Sequence, residues 1–92
     1  MDNYDELRDA YTQKAREVIR NWHVEPELHL TDIVRSVMMH RDNVLTGGDF
    51  VRAVCNNDLY AAINHGDTTC RQHLTIIVSA CLHARINTEQ YV

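Results

Sequence analysis

Residues 47–67 read Gly47-Gly48-Asp49-Phe50-Val51-Arg52-Ala53-Val54-Cys55-Asn56-Asn57-Asp58-Leu59-Tyr60-Ala61-Ala62-Ile63-Asn64-His65-Gly66-Asp67. The pattern is a glycine hinge, a short apolar-striped segment, a polar break, a second short segment and another hinge. Phe50, Val51 and Val54 recur at helical spacing, which predicts a helix over about 49–56 with Asp49 as its cap. Asn and Asp are poor in helix interiors and good at helix ends, because their short side chains compete for backbone hydrogen bonds. The chain is therefore expected to bend at 56–58 and restart, burying Leu59, Ala62 and Ile63. Gly66 suits the position just past a helix end, and Asp67 or Thr68 suits the cap of the next helix. Such a segment sets how helices meet without exposing obvious chemistry.

Outward from it, toward the N-terminus, Asp42-Asn43 and Gly47-Gly48 bracket a turn in which Val44 and Leu45 pack inward. A helix is expected from Glu27 or Thr31 to Arg41, with Leu30, Ile33, Val34, Val37 and Met38 on its apolar stripe. Pro26 disfavours helical geometry in the residue before it, which makes 23–26 a break. Residues 3–22 carry Tyr4, Leu7, Tyr11, Ala15, Val18, Ile19 and Trp22 three and four apart, a long amphipathic helix. Asn3 and Glu6 resemble a capping box, Asp5–Arg8 and Glu17–Arg20 are surface pairs, and Trp22 is expected to anchor the helix to the core. Toward the C-terminus one long helix is expected from 67 or 68 to about Ile86, with Cys70, Leu74, Ile77, Val78 and Cys81 on one face. Residues 87–92 read as a frayed tail. No strand alternation is convincing, so the expected fold is all-α: one domain over 1–92, a compact bundle of four to five helices.

Composition narrows the function. The 92 residues are 45% hydrophobic, enough for one core but not for a core plus a deep cleft. Thirteen acidic residues face nine basic ones, a net charge of −4, which disfavours sequence-independent nucleic-acid binding. The acidity is concentrated: 1–27 hold seven Asp/Glu and four Lys/Arg, and this first segment is a candidate contact surface for a basic partner. Three cysteines with no CxxC pair, no signal peptide and no apolar run of membrane-spanning length point to reduced thiols in a soluble cytoplasmic protein.

Across roughly residues 44–80 the chain resembles a group of small enterobacterial phage and prophage proteins of unknown function. The resemblance is carried by Gly48, Phe50, Ala53, Val54, Asn57, Asp58, Leu59, Ala62, Gly66 and Asp67. It departs at Cys81-Leu82-His83-Ala84-Arg85, where those proteins continue into an apolar-Tyr-Asn-Glu-like ending and a Trp-containing tail. The resemblance implies a phage or prophage accessory protein that acts on a host protein or a defence complex, by association alone.

Motifs for catalysis or metal binding are thin. Cys70 and His73 share a helix face and His65 precedes them, but a structural zinc site usually takes four ligands, commonly in paired short spacings, and only one pair qualifies. No metal ligand is expected, and Cys70 reads as a core residue. Cys81-x-His83 places its residues on different sides of a helix. His40-Arg41-Asp42-Asn43 looks like a kinase catalytic loop, yet the chain's only lysine is Lys14 and no nucleotide-covering glycine loop exists. Gly47-Gly48-Asp49 lacks the GK[ST] ending of a phosphate loop. Cys55 with His65 is the one nucleophile–base pairing to consider, and Cys55 reads better as an apolar filler. No catalytic residue and no cofactor are expected.

The reading that remains is a non-enzymatic protein that works by protein–protein interaction, a modulator or inhibitor of a host system. Asp49, Arg52, Asn56 and Tyr60 are the expected partner-binding residues, with Arg52 and Tyr60 as anchors. Self-association is the second possibility, argued from Met38, Met39, Tyr4 and Tyr11 as surplus apolar surface. The alternative is a small helix-turn-helix regulator, whose best base-reading residues are Thr68, Thr69, Arg71 and Gln72.

Overall fold

The computed structural model describes residues 3–91. Within them are α1 (Asn3–Asn21), α2 (Leu28–Arg41), α3 (Asp49–Cys55), α4 (Leu59–His65), α5 (Thr68–Gln72) and α6 (Leu74–His83), followed by a 3-10 turn over Thr88–Tyr91. The described residues contain no strand, and the all-α bundle read from the periodicity is the observed architecture. Antiparallel α1 and α2 and the C-terminal α6 form its body, with the α3–α4 hairpin packed on α2 through α3. The segment expected to fray instead turns at Thr88–Tyr91 against α1, while Val92 lies outside the described residues.

The core is built from side chains with no exposure: Tyr11, Ala15 and Ile19 of α1, Leu30, Val34, Val37, Met38 and Met39 of α2, and Ile77 of α6. α2 is the central element, packing against α1, α3, α5 and α6. It starts after Glu27, earlier than a Thr31 cap would allow. Thr31 is instead inside, and its hydroxyl donates to the Pro26 carbonyl at 3.2 Å. Burial of Tyr11, Met38 and Met39 removes three of the four residues on which self-association was argued; Tyr4 alone stays exposed.

Three helices end in the same way. His23, Asn43 and Asn57 have φ of 60°, 63° and 59°, the left-handed region that a helix terminator requires. The next N–H in each case reaches back five residues: Val24 to Ile19 (3.4 Å), Val44 to Met39 (2.8 Å) and Asp58 to Ala53 (2.8 Å). This is the Schellman pattern, which satisfies carbonyls that a helix end leaves open. Asn is among the few L-residues that tolerate the geometry, so Asn43 and Asn57 are stop signals written in the sequence.

Glycine serves close approach here and not left-handed geometry. Gly66 follows α4 with an ordinary φ of −77°. A Cβ on it would meet Cys70 Cβ at 2.9 Å and Phe50 Cδ1 at 3.0 Å, so its missing side chain lets α3, α4 and α5 meet. Asp58 and Asp67 cap α4 and α5, accepting from the Ala61 and Cys70 N–H groups at 3.1 and 2.9 Å. Asp49 does not cap α3; Gly48 is the cap residue and Asp49 begins the helix.

The expected long C-terminal helix is broken. His73, at φ −119° and ψ 23°, ends α5, and the chain restarts at Leu74. After the restart Ile76, Ile77 and Ala80 are buried and Cys81 packs half-buried against the core as expected, while Val78, expected inside, and Leu82 are exposed. Every helix is also too short or too polar to cross a membrane among the described residues.

Candidate interaction surface

Asp49, Arg52 and Asn56 recur at three and four along α3 and are all exposed, and Tyr60 on α4 is 88% exposed. The four share the hairpin surface, but no side-chain hydrogen bond or ion pair joins any two of them. Arg52 is partly spoken for, its Nε donating to the Gly47 carbonyl at 3.2 Å. Asn56 terminates α3, its N–H reaching the Arg52 and Val54 carbonyls. The larger feature of the hairpin is apolar. Leu59 and Ile63, expected inside, lie at 58% and 43% exposure beside Tyr60, and only Ala62 of α4 is buried among its apolar residues. α4 packs principally on α3, so no other helix covers that face.

A second apolar surface lies at the opposite end of the chain. Trp22 leaves α1 in its terminal turn and is 45% exposed, where an anchoring role would have buried it. It lines one side of a groove of about 510 Å³ whose other residues are Leu74, Thr75, Val78, Ser79, Leu82 and His83 of α6. Leu74, Val78 and Leu82 fall four apart, one row along the helix. Leu82 is 60% exposed. The groove continues between α1 and α6 past Lys14, Glu17 and Asn21. Lys14 pairs there with Glu17 at 3.3 Å, in place of the Glu17–Arg20 pair expected from spacing.

Polar chemistry gathers at two places, one structural and one exposed. Arg41 and Asp42, two members of the kinase-like tetrad, form a bidentate pair with both contacts at 2.8 Å. Tyr11 donates to Asp42 Oδ2 at 2.7 Å, and Arg41 Nη1 donates to the Ala80 and Cys81 carbonyls at 3.0 Å. One cluster thus ties α1, α2 and the end of α6 together. Burial pushes the Asp42 carboxyl up, but the bonds from Arg41 and Tyr11 outweigh it and hold the group below its ordinary range. Burial, aided by the Asp42 acceptor, raises the Tyr11 hydroxyl. The tetrad is a structural clamp.

The exposed place is a shallow groove containing His29, Asp32, His65, Asp67 and Cys70. His29 Nε2 lies 2.6 Å from Asp67 Oδ2. The Cys70 N–H and then His29 draw the Asp67 carboxyl down to about 2. Burial pushes the Cys70 thiol up, so it is not an activated nucleophile, and it packs as the core residue expected. Among the described residues no three His, Cys, Asp or Glu side chains are arranged to hold a metal ion.

No family model, curated protein or solved structure matches the chain.

The α6 groove is the feature that sequence reading missed. Its signal was present in Leu74, Val78 and Leu82, but the same spacing also describes an inward stripe. Only the break at His73 decides which row turns outward.

Proposed function

We propose that this chain is a non-enzymatic protein-binding module, a phage- or prophage-encoded accessory protein that modulates or inhibits a host or defence complex in the host cytoplasm. The observation that supports the reading is the apolar groove of Trp22, Leu74, Val78 and Leu82, left uncovered on a small domain whose core is otherwise closed. Aromatic and aliphatic side chains gathered in a depression are the usual anchors of protein interfaces. The hairpin patch of Leu59, Tyr60 and Ile63, with Asp49, Arg52 and Asn56 beside it, offers a second contact area. Host origin of the partner rests on the phage resemblance over residues 44–80.

The helix-turn-helix alternative has the right skeleton in α3 and α4 but weaker chemistry. The second helix of that pair, Leu59–His65, contains no Lys or Arg, and its outer face is apolar. Arg71, the basic residue of the alternative recognition segment, is engaged by the Gly66 carbonyl at 2.8 Å.

The test is affinity capture from an enterobacterial lysate with three forms of the chain. Wild type is expected to retain a specific protein, Trp22→Ala/Leu82→Glu to lose it by at least tenfold, and Tyr60→Ala to report on the hairpin. Circular dichroism confirms that the variants remain helical. Equal retention by wild type and the groove variant overturns the groove assignment. Duplex-DNA binding that weakens steeply with salt, without protein capture, overturns the module reading in favour of the regulator.

A further inference from the structure

We propose that His40 is a proton-operated latch on the connection between α2 and α3, holding residues 45–48 in place when its ring is neutral and releasing them when it is protonated. The Gly47 N–H donates to His40 Nδ1 at 3.0 Å. An imidazole nitrogen accepts only through a free lone pair, so the bonded ring carries its proton on Nε2 and none on Nδ1. Protonation puts an N–H on both nitrogens, and two donors then face each other where one bond had been.

This bond matters because little else holds the connection. α2 closes with the Val44 N–H on the Met39 carbonyl, and beyond it no N–H of residues 45–48 reaches a backbone carbonyl among the described residues. The Gly47 carbonyl accepts from Arg52 Nε at 3.2 Å. Both polar groups of this one glycine are thus held by side chains, one from each of the helices that the connection joins. Its backbone lies so close to α3 that a Cβ would collide with Val51 Cγ1. Releasing His40 therefore loosens the start of α3 together with the anchor point of Arg52, the only cation on that helix.

The surroundings offer the protonated ring no replacement. His40 continues the α2 row of His29, Ile33 and Ser36, which lines the groove shared with Phe50 and Val51. The titratable and charged groups of the elements packed there are Asp49 and Arg52 of α3, His65 of α4, Asp67, Cys70 and Arg71 of α5, and His29 and Asp32 of α2 itself. Asp67 is taken by His29, and Asp32 by Arg35. Arg71 is bound to the Gly66 carbonyl. Arg41 and Asp42 turn the other way, toward Tyr11 of α1 and the Ala80 and Cys81 carbonyls of α6, where Arg85 also binds the Cys81 carbonyl. No carboxylate pairs with His40 among the described residues. A protonated ring is better placed when free, because it belongs to the last turn of α2, where the outward carbonyls attract a cation.

The experiment is an NMR titration of the isotope-labelled full-length chain between about pH 8 and pH 5, with each imidazole followed separately. At the alkaline end His40 is expected as the neutral Nε2–H tautomer, with the Gly47 amide hydrogen-bonded. On acidification the Gly47 resonance moves with the midpoint of His40 and with that of no other histidine. Its exchange protection, corrected for the intrinsic rate, drops by at least about tenfold, while the Ile77 amide keeps its own. His40→Asn, which offers an acceptor that does not titrate, is expected to abolish the acid step at Gly47. An Nδ1–H tautomer of His40 at alkaline pH, an unprotected Gly47 amide there, or a Gly47 shift that follows another histidine overturns the proposal. An acid response of Gly47 that survives in His40→Asn overturns it equally.

Discussion

The body of α1, α2 and α6 and the α3–α4 hairpin are held together by different physics. The body buries eight large or branched side chains completely, Tyr11, Ile19, Leu30, Val34, Val37, Met38, Met39 and Ile77. It adds one polar clamp at Arg41 and Asp42. In the hairpin, the buried apolar residues are Val51, Ala53 and Ala62, each retaining a few per cent of exposure. Its shape comes from chain-end chemistry: the left-handed Asn57, the Asp58 cap, and glycines at 47 and 66 where a Cβ would collide. Packing volume gives the body its stability, while the hairpin gets its geometry from turns and leaves its outer face free. Contact surfaces can form on the second kind of region because so little of its apolar area is committed inward.

Substitutions that separate the two regimes span a wide range. Met38→Ala or Ile77→Ala removes fully enclosed volume and is expected to cost about 2–5 kcal/mol in denaturant unfolding. Asp42→Ala removes the carboxylate that pairs with Arg41 and accepts from the Tyr11 hydroxyl, leaving the guanidinium only the Ala80 and Cys81 carbonyls at a largely enclosed site, a loss of about 3 kcal/mol. That contribution depends on pH in a fixed sense. The folded Asp42 carboxyl lies below its ordinary value, so its stabilisation is complete above about pH 4 and fades as pH falls through the folded value. Tyr11→Phe removes one of the bonds that hold the group down, and is expected to narrow the acid range over which stability declines. An acid-unfolding series of wild type against Tyr11→Phe and Asp42→Asn checks the sign.

In the hairpin the effects are smaller and local. Gly66→Ala sets a methyl against Cys70, Phe50 and the Ala62 carbonyl, and is expected to cost about 1–3 kcal/mol. Asp58→Ala removes the α4 cap for about 1 kcal/mol. Leu59→Ser, at an exposed position, is expected to change stability by less than about 0.5 kcal/mol. A large loss from Leu59→Ser would mean that α4 is held by a face the structure leaves open, and the comparison would fail.

Periodicity made most of the body legible. In α1 the row Tyr11, Ala15, Ile19 is inward as the spacing implied, and in α2 so is Leu30, Val34, Val37, Met38. The polar break at 56–58 was equally readable, and the cap was narrowed to Asp67 or Thr68, of which Asp67 takes it, because Asn and Asp carry specific end chemistry. Two things were not. Over a seven-residue helix such as α4, three apolar positions fit an inward and an outward face equally well, and tertiary packing chose the outward one for Leu59 and Ile63. In the last third of the chain, the interruption at His73 has no proline or glycine to announce it. With the break unread, Val78 was placed with Ile77 and Cys81 on the inward face and Trp22 was taken for a core anchor, so the groove they line was not seen. The Arg41–Asp42 clamp was visible only as a coincidental motif, since its partners Tyr11, Ala80 and Cys81 are distant in sequence.

The three left-handed helix ends carry a consequence for how the chain tolerates change. At His23, Asn43 and Asn57 the reversal of direction is completed by bonds spanning only six consecutive residues. Each corner is thus self-contained punctuation. The stretches between corners are free to exchange surface residues, and so to acquire new specificities, without rerouting the polypeptide.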